Sequence, residues 1–228
     1  MTLTHLTPED YTTTRWSGGA TTELLIRPRG AAYAQRVFLC RISSATVELE
    51  ESTFTPLPDY DRLIATLEGE IVLTHNGGAP LTLRPLEVHA FSGADATHSR
   101  GRCRDFNLML RRGKVEGTME ALRLSDAQTN LHVGTSIACS PSSAAEQVLL
   151  YCVEGETKAS TRCHSERGAA ESKNPYSPSP TLTLAPGEAL LLADPASLTL
   201  TGPAALMLCR IQPSPLGEGG IGRLTEAR

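Results

Sequence analysis

The chain has few aromatic residues and no long apolar run, and both absences exclude whole classes of function. Only 4% of its 228 residues are Phe, Trp or Tyr, too few for a base-stacking surface that would bind single-stranded nucleic acid. The formal net charge is −4, whereas a duplex-binding protein needs a basic face to neutralise phosphates. No stretch reaches the roughly 18 apolar residues of a membrane span. The sequence therefore predicts no nucleic-acid partner and no membrane partner.

The cysteines and the N-terminus indicate the compartment. The six cysteines form no Cys-x-x-Cys pair, which argues against a metal or disulfide motif. Residues 1–16 lack the basic start and apolar core of a secretory signal. Four cysteines lie in or beside apolar segments, where a free thiol behaves as a small core residue: Cys40, Cys139, Cys152 and Cys209. We expect reduced thiols and a cytoplasmic location.

Nearly every apolar segment is short and bounded by Gly, Pro, Asp or Asn, which predicts an all-β fold of many short strands. Residues 116–126 fit a helical period as well as a strand. Residues 158–180 are polar and proline-rich, and we expect a disordered insertion there. Residues 213–228 have the same character and predict a flexible tail.

The chain also contains a faint internal repeat. Each half reads as a strand, a Glu-Gly turn, a second strand, a Leu-x-Leu-x-Pro-x-Glu segment and an apolar closing strand; the last motif is LTLRPLE at residues 81–87 and LTLAPGE at 182–188. Such self-similarity predicts two related β units. We place the first in residues 1–113 and the second, smaller one in residues 114–212.

The Leu-x-Leu-x-Pro-x-Glu turn after a Glu-Gly hairpin is similar to the arrangement in cupins, and the first half resembles the HutD/Ves family. The matching segments are WSGGATTELLIRP (16–28), RISSATVELEESTFTPLPDYDR (41–62), LEGEIVL (67–73), HAFSG (89–93) and DFNLMLRRG (105–113). The resemblance implies two antiparallel cupin-like barrels (RmlC-like jelly rolls) in a bicupin arrangement. It also implies a link to histidine utilisation, for which a limiting role and the binding of a product such as formylglutamate have been proposed.

Histidine spacing argues against a metal centre. Many cupins hold a metal through a His-x-His pair, a glutamate and a distant histidine, and tight sites need three or four ligands. His89 and His98 flank the turn that would carry the distant ligand, but no two of the six histidines are two residues apart. We therefore expect no metal and no cofactor, and we expect His89 to be a partly buried strand residue.

Arg41 and Arg62 are the strongest binding candidates. By the strand period, Arg41 shares one face with small or apolar residues at 37, 39, 43, 45 and 47, where a guanidinium needs an anionic partner. Arg62 opens the next strand. Two guanidinium forks suit a ligand carboxylate. The alternative is that each forms a structural ion pair, with Glu23, Glu48 or Asp105.

Asp105 and Asn107 lie one strand period apart and face away from Phe106 and Leu108. In a sheet covered on one side they would meet water. In a small barrel they would point into the lumen and offer ligand donors and acceptors, and the family resemblance favours the lumen.

The segment RWSGGATTEL holds the only tryptophan, followed by a glycine turn and a strand with one polar face. One interpretation is a lip over a small-molecule pocket; the other is an N-terminal strand pinned into the sheet by its indole. The predicted ligand-binding set is Trp16, Gly18, Gly19, Thr21, Glu23, Arg41, Arg62, Phe91, Asp105 and Asn107.

Three functions follow from these observations. The first is a metal-free protein that binds a small carboxylate as a sensor or limiter of histidine utilisation. The second is a metal-independent isomerase or epimerase in which His89 works with Asp105 or Tyr60. The third is a structural or interaction module with a filled barrel. The sequence leaves a homo-oligomer open.

Overall fold

The computed structural model describes residues 2–133, 146–162, 181–193 and 196–215, and the chain is all-β within them. The only helical elements there are two 3-10 turns, Pro8–Asp10 and Tyr33–Gln35. Among the described residues, no helix has the length and apolarity that crossing a membrane would take. Residues 116–126, which fitted two periods, form a strand over Val115–Leu124.

Two compact units divide the chain. The larger unit comprises Thr7–Ala121 and Cys209–Arg228, and the smaller comprises Met1–Leu6 and Leu122–Leu208. The division into two domains at residue 113, made from the sequence, stays a prediction. The strands are β1 Thr2–Leu6, β2 Thr12–Trp16, β3 Gly19–Arg27, β4 Cys40–Val47, β5 Glu51–Thr53, β6 Tyr60–Glu68, β7 Ile71–His75, β8 Leu81–Leu83, β9 Val88–Ser92, β10 Thr97–Arg100, β11 Cys103–Arg111, β12 Val115–Leu124, β13 Thr129–Val133, β14 Gln147–Gly155, β15 Thr157–Arg162, β16 Thr181–Leu184, β17 Ala189–Ala193, β18 Ala196–Thr201 and β19 Ala204–Pro213.

The strands form four sheets, and their order repeats. One six-stranded sheet has the order β2-β3-β4-β11-β6-β9, and one four-stranded sheet has the order β5-β10-β7-β8. The other two sheets have the orders β1-β17-β14-β19-β12 and β13-β18-β15-β16. Raising each number in β4-β11-β6-β9 and β5-β10-β7-β8 by eight gives β12-β19-β14-β17 and β13-β18-β15-β16. The internal repeat predicted from the sequence is therefore present in the strand order.

Each core lies between two sheets. In the larger unit, apolar residues of the six-stranded sheet such as Ile64 and Phe91 pack with Ile71, Leu73 and Leu83 of the four-stranded sheet. In the smaller unit, leucines and alanines of β14, β17 and β19 pack with those of β15, β16 and β18. As the described strands pair, the sheets are open rather than closed into barrels.

Three sequence expectations need correction or fall outside the described residues. Residues 158–162 were assigned to the insertion, but they belong to β15, where Lys158 to Ser160 pair with β16 and with β18. The rest of the predicted insertion, 163–180, lies outside the described residues. The predicted tail begins at Pro213, which is the last residue of β19. The N–H of the next residue, Ser214, donates to Lys114 O at 3.0 Å, and residues 216–228 also lie outside the described residues.

The expected strand through residues 37–39 is also wrong. The strand begins at Cys40, because Arg36 has a left-handed φ of 54° that interrupts an extended chain. Val37 and Leu39 are exposed. Arg41, Ser43, Ala45 and Val47 still share a face, as the strand period requires.

The turn between β2 and β3 depends on its two glycines. The Trp16 ring covers Gly18, and Gly19 has a φ of +147° with its Cα against the carbonyl oxygen of Thr46. The backbone N–H of Glu48 donates to Gly18 O at 2.8 Å. The close approach of the turn to the end of β4 excludes a Cβ atom.

We predict that Gly19→Ala lowers the free energy of unfolding by about 3 kcal/mol, because its Cβ would overlap a backbone oxygen as well as strain φ. Gly77→Ala is the matched control, since Gly77 has a φ of +69° but no other atom lies within 4 Å of the position that a Cβ would take. This substitution should lower the free energy of unfolding by about 1 kcal/mol. Urea unfolding of both variants measures the difference. Equal losses would show that Thr46 moves aside freely.

Candidate functional site

A buried polar cluster lies on the face of the six-stranded sheet that looks toward the four-stranded sheet, here called the inward face. Strand register sets its geometry: Met109 of β11 lies between Arg41 of β4 and Arg62 of β6, and Arg62 pairs with Phe91 of β9. Two residues further along each strand, the next row of paired residues on this face is Glu23, Ser43, Asn107 and Ile64. Because β-strand side chains alternate between faces, Asp105 lies one row further along on the same face.

Arg41 has an anionic partner within the protein. Its Nε atom donates to Glu23 Oε2 at 2.6 Å, and its Nη1 atom donates to Ser43 Oγ at 3.0 Å. The guanidinium lies 4.5 Å from the centre of the Tyr33 ring. A bulge in β3 between Glu23 and Leu25 accompanies this arrangement. The structural ion pair with Glu23, one of the two sequence interpretations, is present at Arg41.

Among the described residues, Arg62 has no carboxylate partner of this kind. Its Nη2 atom donates to Asn107 Oδ1 at 3.1 Å. Its Nε atom is buried, and no acceptor lies within hydrogen-bonding distance of it in the described part of the chain. The side chain is only 6% exposed. A buried donor left unpaired costs about 1–3 kcal/mol, so the Arg62 Nε–H has a hydrogen-bonding requirement that the described residues do not meet.

An amide connects Arg62 to Asp105. Asn107 accepts from Arg62 through Oδ1 and donates through Nδ2 to Asp105 Oδ1 at 2.8 Å. The same Asp105 oxygen accepts from the backbone N–H of Ala45 at 3.1 Å. Guanidinium, amide and carboxyl thus form one chain of hydrogen bonds, which we call the Arg62 chain.

Burial controls the charges of the Arg62 chain. Burial raises the pKa of Asp105 to about 7, although the Ala45 N–H, the Arg62 charge and the Asn107 amide all act in the other direction. Burial also lowers the pKa of Arg62 to about 10, which leaves it charged at neutral pH. Near pH 7, therefore, a partly protonated Asp105 offsets the Arg62 charge only in part.

Aromatic rings surround the Arg62 guanidinium. Its central carbon lies 4.9 Å from the centre of the Phe54 ring and 5.0 Å from that of Phe91. Cation–π contacts of this kind stabilise a desolvated guanidinium without using its N–H groups. A polar partner must therefore approach along the N–H edge.

Two histidines that the sequence did not single out as a pair meet beside Phe91. The Nε2 atoms of His75 and His89 lie 2.9 Å apart, and the rings are stacked with centroids 5.1 Å apart. The Phe91 ring centroid is 4.9 Å from that of His75 and 5.9 Å from that of His89. We call His75 and His89 the His pair. Its members are fourteen residues apart on strands of different sheets, so sequence spacing carries no signal for them.

The smaller unit provides an internal comparison. Arg62 pairs with Phe91 in the larger unit, and Val148 pairs with Leu192 at the equivalent position of the repeat. The Glu-Gly turns and the Pro-x-Glu motifs give the same alignment, which places Leu190 where His89 stands. The Gly69 turn lies against Arg102 and Cys103, and the Gly155 turn lies against Pro203 and Ala204. This match aligns β11 with β19 and places Leu206 and Leu208 where Asp105 and Asn107 stand. Val148 and these three leucines are members of one buried apolar cluster. The strand plan therefore holds without the polar residues, and they are particular to the larger unit.

Comparison with known proteins identifies the family. A family model described as HutD matches residues 8–209. The chain belongs to the HutD family. This confirms the family predicted from the sequence. No curated protein matches the chain.

Solved structures similar to this HutD-family chain agree on the fold. A conserved protein of unknown function from Pseudomonas aeruginosa PAO1, PA5104, is 24% identical, with a TM-score of 0.70 over 94% of this chain and 100% of that one. HutD from Pseudomonas fluorescens SBW25, in a formate condition, is 23% identical, with a TM-score of 0.66 over 93% and 100%. A bacterial pirin from Escherichia coli, YhhW in complex with nickel(II), is 11% identical, with a TM-score of 0.60 over 93% and 100%. The chain is all-β with cupin-superfamily structural neighbours.

The predicted binding residues of this HutD-family chain fall into two groups. Glu23, Arg41, Arg62, Asp105 and Asn107 come together on the inward face, and Phe91 packs against Arg62. Trp16 ends β2, Gly18 lies in the turn that follows, and Gly19 begins β3. Gly19 is four residues from Glu23, which is about 13 Å along a strand. Thr21 lies between, paired with Ala45. The indole is 41% exposed on the edge strand β2, and its role as a lip stays a prediction.

The acid–base pairs expected for an enzyme do not form. The Tyr60 hydroxyl donates to Phe38 O at 2.8 Å, and its ring stacks on Phe38. His89 contacts His75, whereas Asp105 contacts Ala45 and Asn107. His98 occupies an exposed position of β10, 3.8 Å from Glu51. Among the described residues, no three His, Cys, Asp or Glu side chains group as a metal site would require.

A surface groove of about 550 Å³ lies beside the His pair, not at Arg62. Its lining comes from residues 81–83, 86–89 and 119–121, including Glu87, His89 and Glu120. Because the groove and the His pair share His89, the groove reaches the outer side of the pair. The groove and the unpaired Arg62 Nε–H are therefore separate features of the larger unit.

We predict that Asp105→Asn removes a pH-dependent part of the stability. Below about pH 4 the carboxyl is protonated in both states. Between there and about pH 7 the unfolded chain releases the proton while the folded chain keeps it, so the free energy of unfolding falls by at most about 1.4 kcal/mol per pH unit. The stability that Asp105 contributes is thus fully present below about pH 4, falls as the pH rises, and is lost once the pH exceeds the folded-state pKa of about 7.

Urea unfolding of the native protein and of Asp105→Asn, from about pH 4.5 to about pH 8, checks this prediction. The asparagine can still accept from Ala45 and Asn107, so the variant should fold. As the pH rises, the free energy of unfolding of the native protein should fall relative to that of Asp105→Asn. Parallel curves would show that Asp105 is ionised throughout.

Proposed function

We propose that the larger unit binds a small carboxylate without a metal, and that Arg62 provides its principal contact. The observation that carries this proposal is the Arg62 Nε–H, which is buried and has no acceptor in the described residues. Guanidinium groups bind carboxylates through two parallel N–H bonds. A ligand carboxylate at this edge would supply the acceptor that the protein does not.

Charge supports an anionic ligand. Glu23 opposes the charge of Arg41 at 2.6 Å. The charge of Arg62 is opposed only through the Asn107 amide, by a carboxyl whose pKa is about 7. An incoming carboxylate therefore meets an excess of positive charge in a desolvated site, where electrostatic interactions are stronger than in water.

The internal comparison supports a role other than folding. The smaller unit builds the same strand order with Val148 and three leucines at the matching positions. Replacing buried charges with well-packed apolar residues is often neutral or stabilising. Retention of an arginine, an amide and a carboxyl in one unit only is best explained by a ligand. The repeated strand order also supports the bicupin arrangement, with the site between the two sheets of the first cupin-like unit.

Family membership suggests which carboxylate to test. The resemblance to HutD proteins links the chain to histidine utilisation, as a sensor or limiter that binds a product such as formylglutamate. The Pseudomonas fluorescens HutD structure comes from a formate condition, and formate is the smallest carboxylate that could occupy such an edge. We propose N-formylglutamate, glutarate and formate as the first series.

We predict that Arg62→Gln weakens N-formylglutamate binding by roughly 1.5–3 kcal/mol, the range for hydrogen bonds to a charged group. It should leave the unliganded protein folded, because it removes a cation that has no carboxylate partner. Arg41→Gln should instead lower the unfolding midpoint with or without ligand, because it leaves Glu23 partly buried and unpaired. Isothermal titration calorimetry and thermal unfolding provide the two readings.

Arg100→Gln is the matched control, since Arg100 is an exposed strand arginine that pairs with Glu51 at the surface. It should change neither binding nor the midpoint measurably. Equal binding by Arg62→Gln and the native protein would eliminate the proposed contact. A midpoint loss in Arg62→Gln that no carboxylate alters would support the filled, structural module instead.

A further inference from the structure

We propose that anion binding at Arg62 is proton-coupled through the His pair: a carboxylate that binds at Arg62 is taken up together with one proton, which the pair holds. This inference rests on the proposed carboxylate site and assigns to it a mode of regulation. It predicts that a small carboxylate binds more tightly as the pH falls.

The geometry of the His pair allows one extra proton. At 2.9 Å, one Nε2 atom must donate and the other must accept. A proton added to the pair makes one ring an imidazolium that still donates to the other, so the contact becomes a charge-assisted hydrogen bond. A second added proton would put two N–H groups face to face. The pair is therefore built for one charge and titrates as a unit.

Thr97 fixes the direction of the hydrogen bonds. Its hydroxyl donates to Asp95 O at 3.3 Å and lies 2.8 Å from His75 Nδ1. A hydroxyl that donates to a carbonyl is left to accept from Nδ1–H. His75 then carries its proton on Nδ1 and accepts at Nε2 from His89, which places the added proton on the His89 side of the pair.

The groups around the pair include Arg62. From β6, Arg62 contacts Phe91, and Phe91 contacts both histidine rings. Burial lowers the pKa of His75; Asp95, in the turn before β10, acts to raise it, and the Arg62 charge acts to lower it. Glu87 and Glu120 line the groove with His89. Burial and the Arg62 charge both disfavour a charge on His75. A carboxylate at Arg62 would cancel the second of these effects, and the pair would then accept a proton at higher pH.

Asp105 is the competing proton acceptor. It also lies near Arg62, whose charge lowers its pKa, so the same carboxylate would favour protonation of Asp105. Affinity measured against pH cannot separate the two acceptors. A readout on the histidine rings themselves can.

The test is a histidine-detected NMR titration from about pH 5.5 to about pH 8.5, a range over which formate stays ionised. It uses sodium formate at saturating concentration against sodium chloride at the same ionic strength. His75→Gln and His89→Gln assign the ring signals among the six histidines. We expect the titration of the pair to move to higher pH with formate. Formate affinity should rise by up to tenfold per unit of falling pH, the limit for one proton.

Two variants locate the coupling. In Arg62→Gln the pair should titrate at higher pH even without formate, and formate should move it no further. In Asp105→Asn the formate-dependent shift of the pair should persist. Formate binding to the native protein while the pair titrates unchanged would overturn the proton coupling and leave the carboxylate site standing. The same formate-dependent shift in Arg62→Gln would show that formate acts on the pair independently of Arg62, which overturns the coupling through Arg62 and counts against Arg62 as the carboxylate contact. If formate leaves every signal near Arg62 unchanged, the carboxylate site fails and the coupling fails with it.

Discussion

The site depends on a buried arginine that pairs directly with no carboxylate in the part of the chain that the structure describes. Arg62 reaches Asp105 only through the Asn107 amide, and its Nε–H is unpaired in the described residues. A direct ion pair would satisfy the guanidinium and leave no position for a ligand; the Arg41–Glu23 pair shows that outcome a few residues away. Because the Asn107 amide lies between Arg62 and Asp105, the guanidinium is held in place while its Nε–H edge remains available.

Local patterns explain what could be predicted. Strand alternation placed Asp105 and Asn107 on one face, because a strand's side-chain period is fixed by its own backbone. It could not separate the roles of Arg41 and Arg62, since that depends on which carboxylate a neighbouring strand supplies. The His pair joins strands of two sheets, so only the tertiary fold reveals it. The strand expected at residues 37–39 failed for a local reason that composition hides, the left-handed Arg36.

The duplicated strand plan separates fold from function within a single chain. Both units follow one strand order. In the smaller unit Val148 and three leucines fill the positions that carry the Arg62 chain and His89 in the larger. The polar cluster thus lowers the apolar burial of one core, a cost that a ligand would offset.

The most direct test of this account is diffraction from crystals of the native protein soaked in sodium formate. The account predicts a formate carboxylate on the inward face, with an oxygen about 3 Å from Arg62 Nε, while Arg41 keeps its bond to Glu23. Formate absent from that edge, or bound at Arg41 in place of Glu23, would contradict it.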